Sequence, residues 1–217
     1  MRSQFDRQLE MLHYEMHIMG KLCETAINNC TAALLVGDIE KAVNMGELSN
    51  QITNQERYIE NICVKMLMQQ QPVARDLRTI SAALKMVTDM KRIGDQSCDI
   101  ADIISVGNVS SHTSTAGFGP MTAQVIKMVN RSVESFVKQD MKLASSVLTM
   151  DDIVDNCFIE IRKELLEGLK ADTPEYSDET ALDLLMIDKY LERIADHAVN
   201  VAQWVIFSKT GEIKVES

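Results

Sequence analysis

Oxygen-bearing side chains recur every four residues in the C-terminal part of the chain. Glu192, Asp196 and Asn200 lie one helical turn apart, on an edge about 140° to 220° around the helix from its apolar stripe. Carboxylates at i and i+4 on a helix are about 5 to 6 Å apart and repel each other weakly. A hard divalent or trivalent cation relieves that repulsion because it accepts several oxygens at once. The spacing therefore indicates a candidate cation site.

A second acidic pair precedes this ladder in the sequence. Asp151 and Asp155 are also four residues apart, with Asp152 beside them. If their helix packs antiparallel to the helix of Glu192 and Asp196, the two pairs converge and present several oxygens to one site.

A solvated charged edge is the alternative interpretation of the same residues. Lys189 stands three residues before Glu192, and Arg193 stands three residues before Asp196. Each basic side chain can neutralise its acidic neighbour across one helical turn. Spacing alone leaves both interpretations open.

Other catalytic chemistry has little support in the sequence. His13 and His17 share the spacing of helical metal ligands, but no carboxylate motif completes a site around them. The sequence contains no nucleophile elbow, glycine-rich phosphate loop or H-E-x-x-H motif. The enzyme class that remains is the di-iron carboxylate bundle, which needs Glu-x-x-His on two helices. Only Glu10-x-x-His13 has that spacing, so this alternative lacks half of its ligands.

Composition restricts both the compartment and the partners. The 217 residues carry a net charge of −10, which repels nucleic-acid phosphates and anionic lipid headgroups. No run approaches the roughly 18 apolar residues that a membrane span needs. Five cysteines without a C-x-x-C pair suit a reducing cytoplasm. We therefore expect a cytoplasmic protein with no nucleic-acid partner and no direct membrane insertion.

The hydrophobic pattern predicts an all-α protein. Aromatic residues make up only 5% of the chain, and nine Gly and three Pro are too few for a many-turned β fold. Apolar residues in steps of three and four predict six helices, over 4–36, 39–68, 74–104, 121–138, 141–168 and 178–207. Ser177 is the expected N-cap of the last helix. Gly, Ser and Thr concentrate in 106–120, which predicts a linker between a first domain, 1–105, and a second, 121–217.

The two halves also match each other in sequence. A shift of 101 residues places residues 86–104 on residues 187–205. Four of the 19 aligned pairs are identical, whereas chance would give about one. The identical pairs are Arg92 and Arg193, Ile93 and Ile194, Asp95 and Asp196, and Ala101 and Ala202. We interpret the chain as a tandem repeat of two three-helix bundles.

Three segments carry a specific signature: LERIADHAVNVA at 191–202, MKRIGD at 90–95 and QPVARDLR at 71–78. Together they resemble the PhoU family, and the resemblance covers essentially the whole chain. It implies a bacterial cytoplasmic regulator without catalytic activity, built of two three-helix bundles and forming a homodimer. It also implies that this regulator links the ATPase of the phosphate ABC transporter to a sensor histidine kinase. Phosphate uptake and the phosphate-starvation response are then repressed when phosphate is plentiful.

Members of the PhoU family can bind metal clusters through paired (E/D)-x-x-x-D motifs. Carried over by position, the resemblance assigns Asp151 with Asp155, and Glu192 with Asp196, as metal ligands. The expected metal is iron, zinc, manganese or magnesium, as single ions or as a multinuclear cluster. The di-iron enzyme stays open as the alternative function.

The first half departs from this motif. At the positions 101 residues earlier, Asn50, Asn54 and Lys91 replace three of the four acids, and only Asp95 is retained. Asp99 lies one turn beyond Asp95 and is a further candidate ligand. The formal charges of the four first-half positions sum to zero, so the Coulomb attraction for a cation largely disappears there. We therefore expect metal to favour the second half.

Overall fold

The computed structural model describes residues 2–70, 72–107, 109, 117–171 and 176–212, with the backbone only for residues 2, 3, 69 and 70. Over these residues the chain forms α-helices and no strand, so the all-α prediction is confirmed. The helices are α1 (Arg2–Val36), α2 (Ile39–Val43), α3 (Met45–Gln70), α4 (Ala74–Val106), α5 (Phe118–Lys138), α6 (Met141–Leu148), α7 (Asp151–Leu169) and α8 (Asp178–Thr210). Within these ranges, no helix has the length and apolar character that crossing a membrane requires.

The long helices follow the predicted apolar stripes. In α1, Leu12, Met16 and Met19 are fully buried and recur in steps of four and three. The helix ends at Val36 because Gly37 adopts a φ of 75°, a left-handed conformation that glycine accepts without a steric penalty. The predicted break before the second helix is therefore confirmed.

The second helix of each half is interrupted, whereas the sequence predicts continuous helices over 39–68 and 141–168. The first interruption is at Asn44, whose backbone N–H and side-chain Nδ2 both donate to the carbonyl oxygen of Glu40. At the second, before Met150, the hydroxyl of Thr149 donates to the carbonyl oxygen of Ser146. Such bonds also occur inside unbroken helices, as from Asn156 to the carbonyl oxygen of Asp152 in α7, so they accompany the interruptions without explaining them. Ala42, Met45 and Leu48 stay buried in steps of three across the first break, so apolar periodicity does not mark it.

α1 to α4 form the first bundle, and α5 to α8 form the second. The last helices, α4 and α8, pack along each other more extensively than any other pair, and α1 also packs against α5. The α4–α8 pair is antiparallel, because Arg78 lies beside Gly211 at one end and Gly107 lies beside Asp183 at the other. The buried side chains of both bundles form one continuous hydrophobic core. The chain is therefore a tandem of two three-helix bundles that share a core.

Element boundaries agree closely with the prediction. Ser177 caps α8, because its Oγ accepts a hydrogen bond from the backbone N–H of Thr180 at 3.1 Å. α5 begins at Phe118, slightly earlier than expected, since the buried Phe118 ring extends the apolar stripe. Of the predicted linker, 106–120, most lies outside the described residues. The division into 1–105 and 121–217 stays a prediction.

Candidate metal site between α7 and α8

Two neighbouring helices carry the second-half candidate ligands. Asp151 is the first residue of α7, and Asp155 lies one turn later. Glu192 and Asp196 lie one turn apart near the middle of α8, which packs against α7. These four residues are referred to below as the carboxylate cluster.

The electrostatics of Asp151 show that the cluster comes together across the two helices. Burial, followed by the negative charges of Asp155, Asp196 and Glu192, raises the pKa of Asp151 to about 6. The pKa of Asp196 is also raised, first by burial and then by the charge of Glu192. Both shifts report carboxylates held close to one another in a partly desolvated place. A bound cation would relieve this repulsion.

Of the two ion pairs expected for a solvated charged edge, the structure forms one among the described residues. The Nζ of Lys189 pairs with a carboxylate oxygen of Glu192 at 2.5 Å. Arg193 is not ion-paired with Asp196 in the described part of the chain. Its charge instead reaches Asp99 on α4, where it opposes a rise in the pKa of that carboxyl group. One basic side chain is therefore directed toward the first bundle.

Asn200, the third member of the predicted ladder, does not join the cluster. Its Nδ2 donates to Oδ1 of Asp89 on α4 at 3.3 Å, and Nδ1 of His197 lies 3.0 Å from the same oxygen. The reason is rotation: each step of four residues turns a side chain by about 40° around the helix. Two steps beyond Glu192, the side chain faces α4, so this group joins the two bundles.

Asp188 is a candidate ligand that the sequence analysis missed. Its carboxyl group is fully buried, and neither oxygen has a hydrogen-bond partner among the described residues. Burial, followed by the charge of Glu192, raises the pKa of Asp188 to about 8. On the facing helix the pKa of Cys157 is raised by burial, then by Glu160 and Asp188. Extending the four-residue ladder one step before Glu192 would have identified Asp188.

The first bundle places a lysine where the second has an acid. The Nζ of Lys91 donates to both carboxylate oxygens of Asp95, at 2.8 and 2.5 Å. Asp99 lies one turn further, and its pKa is raised by burial and then by the charges of Asp95 and Asp102. A side-chain cation therefore already neutralises part of the first-bundle acidic group.

The repeat alignment is wrong by one residue in the second helix. Asn50 and Asn54 are exposed, whereas Ser49 faces Cys98 of α4 and Thr53, one turn later, is partly buried. Buried Val154 and Ile161 of α7 match buried Ile52 and Ile59 of α3 at a shift of 102 residues, whereas the last helices match at 101, so the one-residue difference arises between the second and last helices of each half. Serine and threonine are also uncharged, so the charge difference between the bundles is unaffected.

The two histidines of α1 lie apart from the carboxylate cluster. The His13 ring packs edge-on against Phe136 with its centroid 5.0 Å from that ring, and its Nε2 lies 3.3 Å from Nε2 of Gln139. Glu10 and His17 are exposed. His13 thus takes part in the packing of α1 against α5.

The chemistry of the carboxylate cluster fits a hard divalent cation. Such ions prefer oxygen ligands, and the cluster supplies four carboxylates. Over residues 4–68, 72–107, 109, 117–171 and 176–212, no three His, Cys, Asp or Glu side chains already converge at metal-binding geometry. Asp155 and Asp196 are exposed, so they can rotate toward an ion without disturbing the core. Metal ligation by the cluster, and by Asp95 and Asp99, stays a prediction.

Fold and site together define a class of protein, the tandem helical bundle with an acidic interhelical face. The PhoU domain family model matches the chain twice, over residues 16–104 and 119–205. The chain belongs to the PhoU family, as its sequence signature indicated.

Curated relatives match along almost their whole length. A protein of Clostridium acetobutylicum is 33% identical over 213 residues, which are 97% of this chain and 96% of the relative. A protein of Pseudomonas aeruginosa is 33% identical over 212 residues, 96% of this chain and 86% of the relative. Each is named a phosphate-specific transport system accessory protein PhoU homolog.

Two solved structures share the fold. The crystal structure of PhoU from Pseudomonas aeruginosa superposes with a TM-score of 0.86 at 33% identity, covering 96% of this chain and 100% of that one. PhoU from Streptococcus pneumoniae, titled a phosphate transport system regulatory protein, superposes with a TM-score of 0.88 at 23% identity, over 98% and 100% of the two chains. The predicted fold class is confirmed.

Proposed function

We propose that the protein is a cytoplasmic regulator of phosphate homeostasis. In this role it links the ATPase of the phosphate ABC transporter to a sensor histidine kinase. It represses phosphate uptake and the phosphate-starvation response when phosphate is plentiful. The observation that carries the proposal is the PhoU-domain match over both bundles, supported by relatives named as phosphate transport accessory proteins.

The proposed role involves no catalytic step, and the functional unit is a homodimer, as the family resemblance implies. The di-iron enzyme alternative is not favoured. Its Glu10-x-x-His13 motif lies on α1, where the His13 ring packs against Phe136 instead of a carboxylate. The two relatives described above are named for an accessory role and not for a reaction.

The proposal also includes metal binding at the carboxylate cluster. Iron, zinc, manganese or magnesium would supply the positive charge that offsets the repulsion among the four acids. Asp151 and Asp155 would hold the ion from α7, and Glu192 and Asp196 from α8. Binding to both helices would stabilise the second bundle, because a ligand that binds only the folded state favours that state.

Deletion of the gene tests the regulatory role. In high phosphate, alkaline phosphatase or another phosphate-starvation output should rise in the deletion strain, and a plasmid copy should restore repression. Complementation with Asp155→Ala and Asp196→Ala together asks whether repression needs the carboxylate cluster. Unchanged output and unchanged phosphate uptake in the deletion strain would contradict the proposal.

Affinity capture from phosphate-replete cells tests the partners. The tagged full-length protein should recover the transporter ATPase and the histidine kinase. Capture from phosphate-starved cells serves as the comparison, because the proposed repression belongs to phosphate-rich conditions. Recovery of neither protein under either condition would contradict the linking role.

A further inference from the structure

Asp188 is unusual among the acidic residues. Among the described side chains it is the one carboxyl group whose two oxygens are both buried and without a hydrogen-bond partner. Its side chain is 0% exposed. An isolated carboxylate is costly to bury, and buried charges in proteins are normally paired or bound to a metal. The fold therefore keeps this acid either protonated or bound to a cation.

The geometry of α8 directs Asp188 toward the carboxylate cluster. Asp188 lies one turn before Glu192 and is rotated about 40° from it toward the apolar stripe. Along α8, Asp196 is exposed, Glu192 is partly buried and Asp188 is fully buried. The three acids form a row that runs from solvent into the α7–α8 interface. Asp188 occupies the inner end of that row, across from Cys157 of α7.

The nearest basic side chain does not serve as the partner of Asp188. The Nζ of Lys189 pairs with Glu192 and lies 5.4 Å from the centroid of the Phe158 ring. Both contacts hold the ammonium group on the outer side of the row, where the Lys189 side chain is exposed. Neither oxygen of Asp188 therefore has a basic side chain bonded to it among the described residues.

We propose that Asp188 is a fifth carboxylate ligand that anchors the inner end of a divalent-cation site built on the carboxylate cluster. This inference rests on the metal binding proposed above and adds a residue outside both (E/D)-x-x-x-D pairs. Asp188 and Asp196 are eight residues apart on α8, about 12 Å along the helix, so Asp188 would hold an inner ion with Glu192, while Asp196 would bind nearer the solvent. Asp188 would thereby make the second-bundle site deeper and tighter than the four cluster acids alone.

Titration calorimetry with Mn²⁺ on the chelator-treated full-length protein tests the inference. Asp188→Asn keeps the size of the side chain and removes its charge. Asp152→Asn is the matched control, because Asp152 is an exposed acid of the same helical turn as Asp151. We expect Asp188→Asn to weaken Mn²⁺ binding at least about tenfold, and the control to change it less than about threefold.

A second measurement guards against a variant that is merely misfolded. The thermal midpoints of wild type and Asp188→Asn, with helix content checked by circular dichroism, are compared without metal and with saturating Mn²⁺. Without metal the variant should be about as stable as wild type, because a neutral amide replaces a protonated carboxyl group of the same size in the same buried place. Its midpoint should rise less with Mn²⁺ than that of wild type.

The outcomes separate this inference from the broader proposal. Equal Mn²⁺ affinity in wild type and Asp188→Asn overturns the role of Asp188 and leaves metal binding by the carboxylate cluster intact. An equal loss in Asp152→Asn also overturns it, because net charge would then account for the effect. A wild-type protein that binds no Mn²⁺ overturns both.

Discussion

Lys91 holds in the first bundle the place that Glu192 holds in the second. Its ammonium group bonds to both oxygens of Asp95 and offsets the negative charge that would attract a metal ion. The facing helix α3 presents the uncharged side chains of Ser49 and Thr53. Three substitutions therefore separate the first-bundle face from a second copy of the carboxylate cluster.

Restoring the acids should create a second cation site. In the variant Ser49→Asp, Thr53→Asp, Lys91→Glu, four carboxylates would face one another between α3 and α4. We expect the Mn²⁺ stoichiometry measured by titration calorimetry to about double, because the charge and donor set of the second bundle are reproduced.

A matched control places the same charges on the wrong side of α3. In Asn50→Asp, Asn54→Asp, Lys91→Glu, the new α3 acids are exposed to solvent and face away from α4. This control should bind Mn²⁺ with the wild-type stoichiometry. A doubling in the control as well would show that total charge, not the facing side of α3, determines binding.

Metal should favour the second bundle in the unmodified protein. Asp155→Ala with Asp196→Ala removes one acid from each helix of the carboxylate cluster. The double variant should lower Mn²⁺ affinity or stoichiometry far more than Asp95→Ala, since Asp95 is already paired with Lys91. Titration calorimetry or anomalous diffraction measures the difference. Equal occupancy of both bundles, or a dominant first-bundle site, would contradict the charge argument.

His13 should make stability depend on pH. Burial, followed by the charge of Lys209, lowers the pKa of His13 below its ordinary 6.5. The native state thus favours the neutral ring, and the unfolded state binds more protons as pH falls below about 6.5. The stabilisation is present above that pH and is lost progressively below it.

The variant His13→Gln should reduce this loss. Urea unfolding at about pH 7.5 and about pH 5 gives the change in the free energy of unfolding, which should be smaller in the variant than in wild type. His17→Gln, at an exposed position one turn away, is the control. A pH dependence unaltered by His13→Gln would exclude His13 as its source.

Residue spacing in the sequence identified the four acids of the carboxylate cluster, but not how deeply each candidate side chain is buried or which helix it faces. Four-residue steps selected the four acids of the carboxylate cluster, and burial and then the charges of the other three raise the pKa of Asp151, while metal ligation stays a prediction. Asp188 was missed because it directly follows Ile187 of the apolar stripe, in a part of α8 that the sequence pattern assigns to the core. Asn200 was misassigned because a ladder of four-residue steps rotates around the helix. Depth and facing direction depend on how helices pack, which spacing does not encode.

At the level of the helices, the start of α8 depends on one side chain. Ser177 Oγ accepts a hydrogen bond from the backbone N–H of Thr180, one of the otherwise unpaired donors of the first turn. Ser177→Ala should lower the free energy of unfolding by about 1 kcal/mol. Urea denaturation measures this loss. Ser145→Ala, at an exposed position within α6, should have little effect, and an equal loss there would contradict the capping role.

Helix positions were largely predictable, whereas the interruptions were not. Apolar stripes, together with the glycine and proline residues that end helices, predicted the ends of the long helices to within a few residues. At both breaks the buried apolar residues keep a three-residue step, from Ala42 to Met45 and from Val147 to Met150. The apolar pattern thus carries no mark of either break. Pattern analysis therefore joins helices that the backbone separates.

The molecule as a whole should unfold in one step. Its hydrophobic core continues from the first bundle into the second through α4 and α8, so neither bundle loses its packing alone. Trp204, the single tryptophan, lies on α8 and monitors the second bundle, while circular dichroism monitors helices of both. The two urea transitions should coincide. A second transition seen only by circular dichroism would show that the first bundle unfolds independently.

The extent of this shared core could not be predicted from the sequence. The repeat establishes two similar bundles but does not show whether they touch. Contact between them depends on the second apolar side of α4 and α8 and on hydrogen bonds such as those of Asp89 with His197 and Asn200. Those partners lie more than 100 residues apart in the chain, beyond the reach of local pattern analysis.

The packing of α4 against α8 also constrains how the protein can carry a signal. Proteins that respond by hinge closure keep a solvated cleft between their lobes, so the lobes separate with little loss of apolar burial. Separation here would expose both long helices to water, at roughly 25 cal/mol per Å² of apolar surface. In the proposed regulatory role, we therefore expect the protein to act as a body of nearly constant shape. Under that proposal, the number of copies of the protein relative to its partners would be the variable that a cell adjusts.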